Sequence, residues 1–467
     1  MAPPKDHECA WQEYAGELAA KLEAVQQRLE QLEKQTLGKR SEKRKTGKMP
    51  PPVAPVPAAR RTGDALRDAV LDTEVTPVPV PPDQACCPKC DNTELRRVGS
   101  GKSSTVYEYV AGHFRRRVFM RETLSCTCGN YVVTAPAPER VGDKTQYSAS
   151  FIAHLVVTKC ADCRAQYNLA KEYQRIGIPI SRSTINTLFH RAGSLLDPLV
   201  ERLFARIAQG DVVLADETSM RMMQGTEKKA FVWAFLSARL IGYRFSCDRS
   251  GDTPMAVLGN TSGYLVCDAY TGYNKLTSTG GRRRAGCLAH ARRKVFEANE
   301  HPEAAAALDL FGEIYLVERE AKNAGLAATE AHARMRKERS RAPFAKLLCW
   351  ARQQRRDHGP KSRLGRAARY IINNFRELGV FLREPRVPPD NNRSESALRR
   401  VALGRRVFLF VGNEDAGKRL AGLYSLVASC ELNGVSPVAY LTDVLTRIDR
   451  HPMARIDELL PDAWHPP

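Results

Sequence analysis

Asp216 and Asp268 each close a short run of apolar, strand-forming residues, DVVLAD and GYLVCD. A strand that finishes in aspartate leaves its carboxylate at the rim of a sheet, where a cation can reach it and the core cannot enclose it. A third carboxylate, Glu395, lies in PPDNNRSESALRRVALGRR, where Pro389 and Asp390 mark a helix start about one turn earlier. Hard oxygens of this kind suit Mg²⁺ or Mn²⁺. Two such ions roughly 3.5 to 4 Å apart would activate an attacking oxygen and stabilise a leaving one during in-line displacement at a phosphodiester. Each acid alone reads as a solvated surface charge; strand ends and element order together point to a site.

Nearby groups compete for the same chemistry. Glu217 adjoins Asp216, but successive strand residues face opposite ways, so only one of the two can turn to a metal. Asp390 reads as a cap near the helix start and is the alternative third ligand. Cys287 and His290 are spaced like a metal pair, yet with ARRK following they read as a strand-to-helix junction beside bound DNA. From Gly412 to Lys418 the chain fits most of a phosphate-binding loop, but Arg419 stands where Ser or Thr must hold Mg²⁺ and two internal acids would repel phosphate. Nucleotide binding is therefore rejected there.

The elements that must carry these groups follow from the texture around them. DVVLAD, KKAFVWAFLS and LIGYRFSCD imply three successive antiparallel strands, TPMAVLG a helix, and GYLVCD a fourth strand returning beside the first. This is the arrangement of the ribonuclease H-like fold, in which adjacent strands aim two carboxylates at shared ions. Residues 297 to 385 read as helices without a strand-like segment, an insertion within a catalytic core spanning 205–415; a helical region, 416–467, follows. Basic residues flank the site: Arg282 to Arg284, His290 with Arg292, Arg293 and Lys294, then Arg399, Arg400, Arg405 and Arg406. Their expected role is to grip a DNA backbone without reading its sequence; a solvated face is the plainer reading of any one of them.

Toward the amino terminus, Leu18, Leu22, Val25, Leu29 and Leu32 form a heptad seam within 11–38, read as a short self-associating coil or as a helix packed on its own body. A basic and proline-rich linker occupies 39–82. In 83–136, Cys87 and Cys90, then the more tightly spaced Cys126 and Cys128, flank a strand-rich segment as in a small zinc ribbon, where four sulfurs hold one structural Zn²⁺; Cys86 could replace Cys87, and ordinary buried cysteines are the alternative reading. Cys160 and Cys163 fall within one continuous helical pattern and are expected to pack as small apolar residues. Within 145–195 a helix, a turn at Gly177 and a second helix capped by Ser181 make either a helix-turn-helix or a plain hairpin. In the first case Arg182, Ser183, Asn186 and Thr187 would meet base edges.

Composition supports a polyanionic partner. Seventy-two Lys and Arg against 52 Asp and Glu leave a formal charge of +20, spread along the chain. The sequence lacks a run of 18 apolar residues and a signal-peptide start, so a cytoplasmic protein without membrane contact is expected. In that reducing setting 13 cysteines would be thiols or ligands rather than disulfides.

The chain resembles the transposases of the bacterial insertion sequence 66 family almost end to end. The resemblance is carried by LGKRSEKR, the CPKC finger, TAPAP, GDVVLADETSMRMM, DAYTGYN, CLAHARRKVFEA, DNNRSESALRR, FLFVGNEDAGKRLAGLYSL and LNGVSPVAYLTDVL. It implies a DDE transposase with Asp216, Asp268 and Glu395 as its triad, a helical insertion before the Glu, and two small accessory proteins from the same element. The chain departs from the family in two places: Ser396 follows Glu395 where Arg is usual, and Cys160 and Cys163 stand where Tyr and His are usual. The expected activity is metal-dependent cleavage at element ends and strand transfer into target DNA, with protomers paired through the coil. The rival expectations are a DNA-binding regulator or inactive relic, and a nuclease of the same fold that cuts without joining.

Overall fold

The computed structural model describes residues 147–224, 229–279 and 281–466, with Val141, Thr145 and two short strands nearer the amino terminus. The chain divides into two compact units, Met1–Tyr109 and Val110–Pro467, and every described residue belongs to the second. The heptad seam, the linker and the four zinc-ribbon cysteines lie outside the described residues. Two strands, β1 (Thr123–Ser125) and β2 (Val132–Thr134), pair antiparallel with Ser125 opposite Val132. The segment joining them carries Cys126 and Cys128 in the sequence.

Helix α1 (Ala149–Cys160) starts where the Ser148 hydroxyl accepts the N–H of Phe151. The continuous helix expected from here to Gly177 is interrupted: the chain turns through Cys163, at φ 56°, before α2 (Gln166–Arg175). Cys160 and Cys163 are both buried, and the Cys163 thiol donates to the Arg400 carbonyl at 3.5 Å. They pack inward as expected, but across a helix end rather than on one helical face. Gly177, at φ 82°, makes the next turn in a conformation that side chains with a Cβ rarely adopt. The Ser181 hydroxyl then caps α3 (Arg182–Ala208) through the N–H of Thr184 at 3.1 Å. The buried stripe of α3 runs Ile185, Leu188, Phe189, Ala192, Leu196, Leu199, Leu203 and Ile207, the spacing of an amphipathic helix.

A five-stranded mixed sheet follows. Its strands are β3 (Val212–Arg221), β4 (Lys229–Leu236), β5 (Ile241–Ser246), β6 (Gly263–Cys267) and β7 (Arg282–Gly286), in the order β5-β4-β3-β6-β7. The first three are antiparallel, and β6 returns parallel to β3, with β7 parallel beside it. Between them lie α4 (Asp252–Leu258) and α5 (Asn274–Thr279). The sheet rests on buried Val213, Leu214, Trp233, Phe235, Leu265 and Val266.

Arg282 does not face a DNA backbone. It is 1% exposed, and its guanidinium donates to Thr261 Oγ1 and to the carbonyls of Tyr264, Ala208 and Gly210. A cation at the start of a parallel strand thus holds chain ends together.

After β7 come α6 (Leu288–Phe296), α7 (Pro302–Asn323), α8 (Glu330–Met335), a π-helical turn at Arg336–Ser340, α9 (Arg341–Asp357), α10 (Arg363–Asn373) and α11 (Phe375–Leu378). This stretch contains no strand among the described residues. Its centre holds Phe344 stacked on Phe375 at 4.5 Å between ring centroids. Beside it Arg336, 1% exposed, pairs with Glu318 at 2.7 Å and donates to the carbonyls of Phe381 and Val387.

The chain then re-enters the sheet region as α12 (Asn392–Val407), α13 (Glu414–Leu432) and α14 (Pro437–Arg447). Helix α13 lies along the edge strand β5. Its Ser425 hydroxyl takes the N–H of Tyr243 at 2.7 Å, and Ser429, one turn on, takes that of Ile241 at 2.9 Å. An edge that would otherwise offer bare N–H groups to another strand is covered. Gly242 lets α3 approach the same strand, since a Cβ there would stand 2.7 Å from the Phe204 ring. None of the helices among the described residues is long and apolar enough to cross a membrane.

Candidate active site

The parallel ladder between β3 and β6 pairs Val212 with Tyr264, Val213 with Leu265 and Leu214 with Val266. Continued two residues further, the same register brings Asp216 level with Asp268. Neighbouring strands lie about 4.8 Å apart, so the two carboxylates sit side by side where β6 ends; β3 does not finish in Asp216 as expected but runs on to Arg221, still paired with β4. Asp268 follows the last residue of β6, and its Oδ1 accepts the Tyr270 N–H at 2.9 Å. Arg284 on β7 braces this turn by donating to the carbonyls of Asp268 and Tyr270.

Glu395 enters from the first turn of α12. Its Oε2 accepts from Arg293 at 3.1 Å, and its Oε1 lies 3.6 Å from His290 Nδ1, both on α6. Contacts with the sheet and with α6 fix where α12 begins. Asn391, wholly buried, donates its side-chain amide to the carbonyl of Ala215 at 2.8 Å, next to Asp216 in the chain. Its backbone N–H meets the Cys287 sulfur at 3.2 Å, and the Leu288 N–H meets the Pro389 carbonyl at 2.9 Å. Sequence reasoning overlooked Asn391. A polar residue just before a helix reads as a cap, but this one makes no capping bond and reaches back to the sheet instead.

Electrostatics mark the cluster. Burial raises the Asp216 carboxyl to about 7, helped by the negative charges of Glu217, Asp268 and Glu395 and opposed by the Glu217 N–H that it accepts. Glu217 turns away from this rim: its carboxylate accepts from Tyr273 Oη at 2.7 Å and from Arg249 Nε at 2.9 Å. The carboxylate of Asp390 accepts the N–H of Asn392 at 3.1 Å and its side-chain amide at 2.9 Å, the local bonding of a helix start.

Cys287, His290 and Glu395 offer ligand atoms within 4.8 Å of one another. The Cys287 thiol is pushed up to about 12 by burial, and its sulfur already accepts the Asn391 N–H, so it is poorly prepared to serve as a thiolate ligand. The carboxylate set is better suited to a cation. Glu395 Oε1 is buried without a hydrogen-bond partner among the described residues, and Asp216 is held from ionising by burial and neighbouring negative charge. A divalent cation would answer the demand of each, although the three carboxylates are not gathered within 4.8 Å of one another as Cys287, His290 and Glu395 are.

The residues expected on DNA fall into two groups. Arg182, Ser183, Asn186 and Thr187 are exposed on the first two turns of α3, and Arg293 and Arg399 are exposed as well. Arg292 and Lys294 are half-buried on α6. Arg400 turns inward to Glu431 and the Cys160 carbonyl, and Arg405 donates to Thr218 Oγ1 at 2.9 Å. Those two guanidiniums brace α12 rather than face outward.

A family model described as the transposase IS66 family matches residues 144–419, more than half the chain and all three carboxylates. The chain belongs to the IS66 transposase family. A second model, the IS66 C-terminal element, matches residues 425–461, which take in part of α13 and all of α14. Family membership brings DNA as the partner, and DDE transposases in general use divalent metal. Among relatives in Sinorhizobium fredii, the uncharacterized protein y4jD is 31% identical over 409 residues, covering 82% of this chain and 79% of its own. The uncharacterized protein y4qI is 29% identical over 401 residues, covering 81% and 74% respectively.

Proposed function

We propose that this IS66-family chain cuts the ends of an insertion sequence and joins them to target DNA, with Asp216, Asp268 and Glu395 as its metal-binding triad on a ribonuclease H-like core. The observation that carries this reading is the shared rim: two parallel strands in one register, and a helix whose first turn adds a third carboxylate to the same negative field. The sheet order, with three antiparallel strands followed by two parallel ones on the other side, supports the fold assignment. Bound Mg²⁺ or Mn²⁺ would supply Lewis-acid activation of the attacking oxygen and stabilisation of the leaving one.

The chain's own residues do the positioning. Arg293 holds Glu395 through its Oε2, and Asn391 keeps the start of α12 against the backbone beside Asp216. Arg249 and Tyr273 hold Glu217 off the rim, so one carboxylate of that pair is left for the cation. The exposed start of α3 would contact element ends together with the zinc ribbon of Cys87, Cys90, Cys126 and Cys128, and the coil would pair protomers so that both ends are held at once. No covalent enzyme intermediate and no ATP are required.

The test is to incubate the full chain with labelled element ends, a target plasmid and Mg²⁺. Joined products support transposition, cuts alone point to a nuclease, and a bare mobility shift points to a regulator. Joining that survived Asp216→Asn would falsify the triad.

A further inference from the structure

We propose that a cleft between α6 and α10 seats a backbone phosphate of the DNA strand bound at the carboxylates. The cleft is about 190 Å³ and is lined by Lys294, Glu297, Arg363, Arg366 and Ala367. Pockets that enclose a whole small ligand run about 300–1,000 Å³ and are mostly apolar. Here Ala367 is the sole apolar lining residue, and three cations face one carboxylate. Size and charge fit one tetrahedral anion.

The cations differ in how far they are already committed. Arg363 is paired with Glu300 at 2.6 Å. Lys294 and Arg366 have no ion pair among the described residues, so their charge is available to a ligand. Lys294 is also set in place, its ammonium 5.1 Å from the centroid of the Tyr370 ring. Arg366 is exposed and follows Arg363 by three positions, so both lie on one face of α10.

Position supplies the rest. His290, Arg293 and Lys294 stand at helical spacings of three and four, and the first two touch Glu395. Lys294 is four residues beyond His290, about 6 Å along the helix. A nucleic-acid strand carries one charge per roughly 3.4 Å of axis, so a strand at the carboxylates presents its next phosphates within that reach. The helical stretch after β7 would thus contribute to strand placement through α10, while α6 serves both the triad and the cleft.

This inference rests on the DNA-cleaving reading, and its test separates the two. The full chain is titrated against a fluorescein-labelled duplex of about 40 base pairs and arbitrary sequence at a series of KCl concentrations. Each neutralised phosphate contributes about 0.9 to the slope of log affinity against log salt, so Lys294→Ala/Arg366→Ala, which empties the cleft of its two uncommitted cations, should flatten the slope by about 0.9. Lys337→Ala/Lys346→Ala, which removes two exposed lysines outside the cleft, should leave it unchanged. Should the double variant fail to fold, Arg366→Gln alone at its exposed position should flatten the slope in the same direction, by up to about 0.9. Absence of binding by the wild type overturns the DNA reading itself. Wild-type binding with an unchanged slope in the cleft variant, or equal flattening in both double variants, overturns the cleft alone.

Discussion

Two regions of this molecule withdraw charge from water, and they handle it in opposite ways. In the helical stretch after β7, Arg336 is buried against Glu318 and the carbonyls of Phe381 and Val387, so its charge has partners supplied by the fold. At the sheet rim Asp216, Asp268 and Glu395 gather like charge, and Asp216 holds its proton up to about 7 because burial and its acidic neighbours disfavour the ionised form. A balanced buried charge maintains architecture. An unbalanced one is a demand on something from outside, which the proposed function would meet with a cation.

The largest effect that could break this contrast is catalytic. Asp216→Asn should cost at least about a thousandfold in Mg²⁺-dependent cleavage, since losing a metal-ion contribution of several kcal/mol corresponds to a factor of that size. Cleavage kinetics on labelled ends measure it, and activity within about tenfold of wild type would remove the rim from the mechanism.

Next comes the balanced charge. Arg336→Ala leaves Glu318 buried without its guanidinium and should destabilise the fold by about 3–5 kcal/mol. Urea unfolding followed by circular dichroism reads this directly; a loss under about 1 kcal/mol would mean that the pair is not what ties this stretch together.

The unbalanced rim should show the reverse sign. With its folded value near 7 against an ordinary 3.8, Asp216 binds more protons folded than unfolded between those values, so its contribution to stability falls as pH rises through that window. Asp216→Asn cannot ionise. In EDTA at about pH 8 it should therefore be more stable than wild type by up to about 4 kcal/mol, with the gap closing toward about pH 4. A variant less stable than wild type at the alkaline end would contradict the repulsion argument.

The smallest effect is expected where charge is paired but wet. Asp211 is 73% exposed in its ion pair with Arg386. Asp211→Asn should move stability by less than about 1 kcal/mol, and a larger loss by thermal melting would show that exposure is a poor guide to what a pair contributes.

Much of the sheet was legible in the sequence because it depends on local pattern. DVVLAD, KKAFVWAFLS and GYLVCD have the apolar runs of strands and each became one, but the first runs on past Asp216 to Arg221, because pairing with β4 carries it through the more polar ETSMR. Helix starts at Ser181 and near Asp390 could be read for the same reason. What could not be read depends on contacts between distant segments. The basic run of β7 looked like a grip for DNA, yet Arg282 is consumed by three carbonyls and a hydroxyl from other elements. Inward-turned Arg400, and the reach of Asn391 to Ala215, are likewise invisible until the chain has folded. The turn at Cys163 was hidden by its surroundings, since helix-forming residues flank it on both sides.

The contact between Arg293 and Glu395 joins residues 102 positions apart in the chain. At a synthesis rate of about 5–20 residues per second, the third carboxylate leaves the ribosome roughly 5–20 s after the helix that receives it. Through that interval a nascent chain can present the two aspartates but not the full cluster. A message truncated in the helical stretch would yield a protein with both aspartates but without the third carboxylate, which on the proposed function leaves it unable to cut DNA.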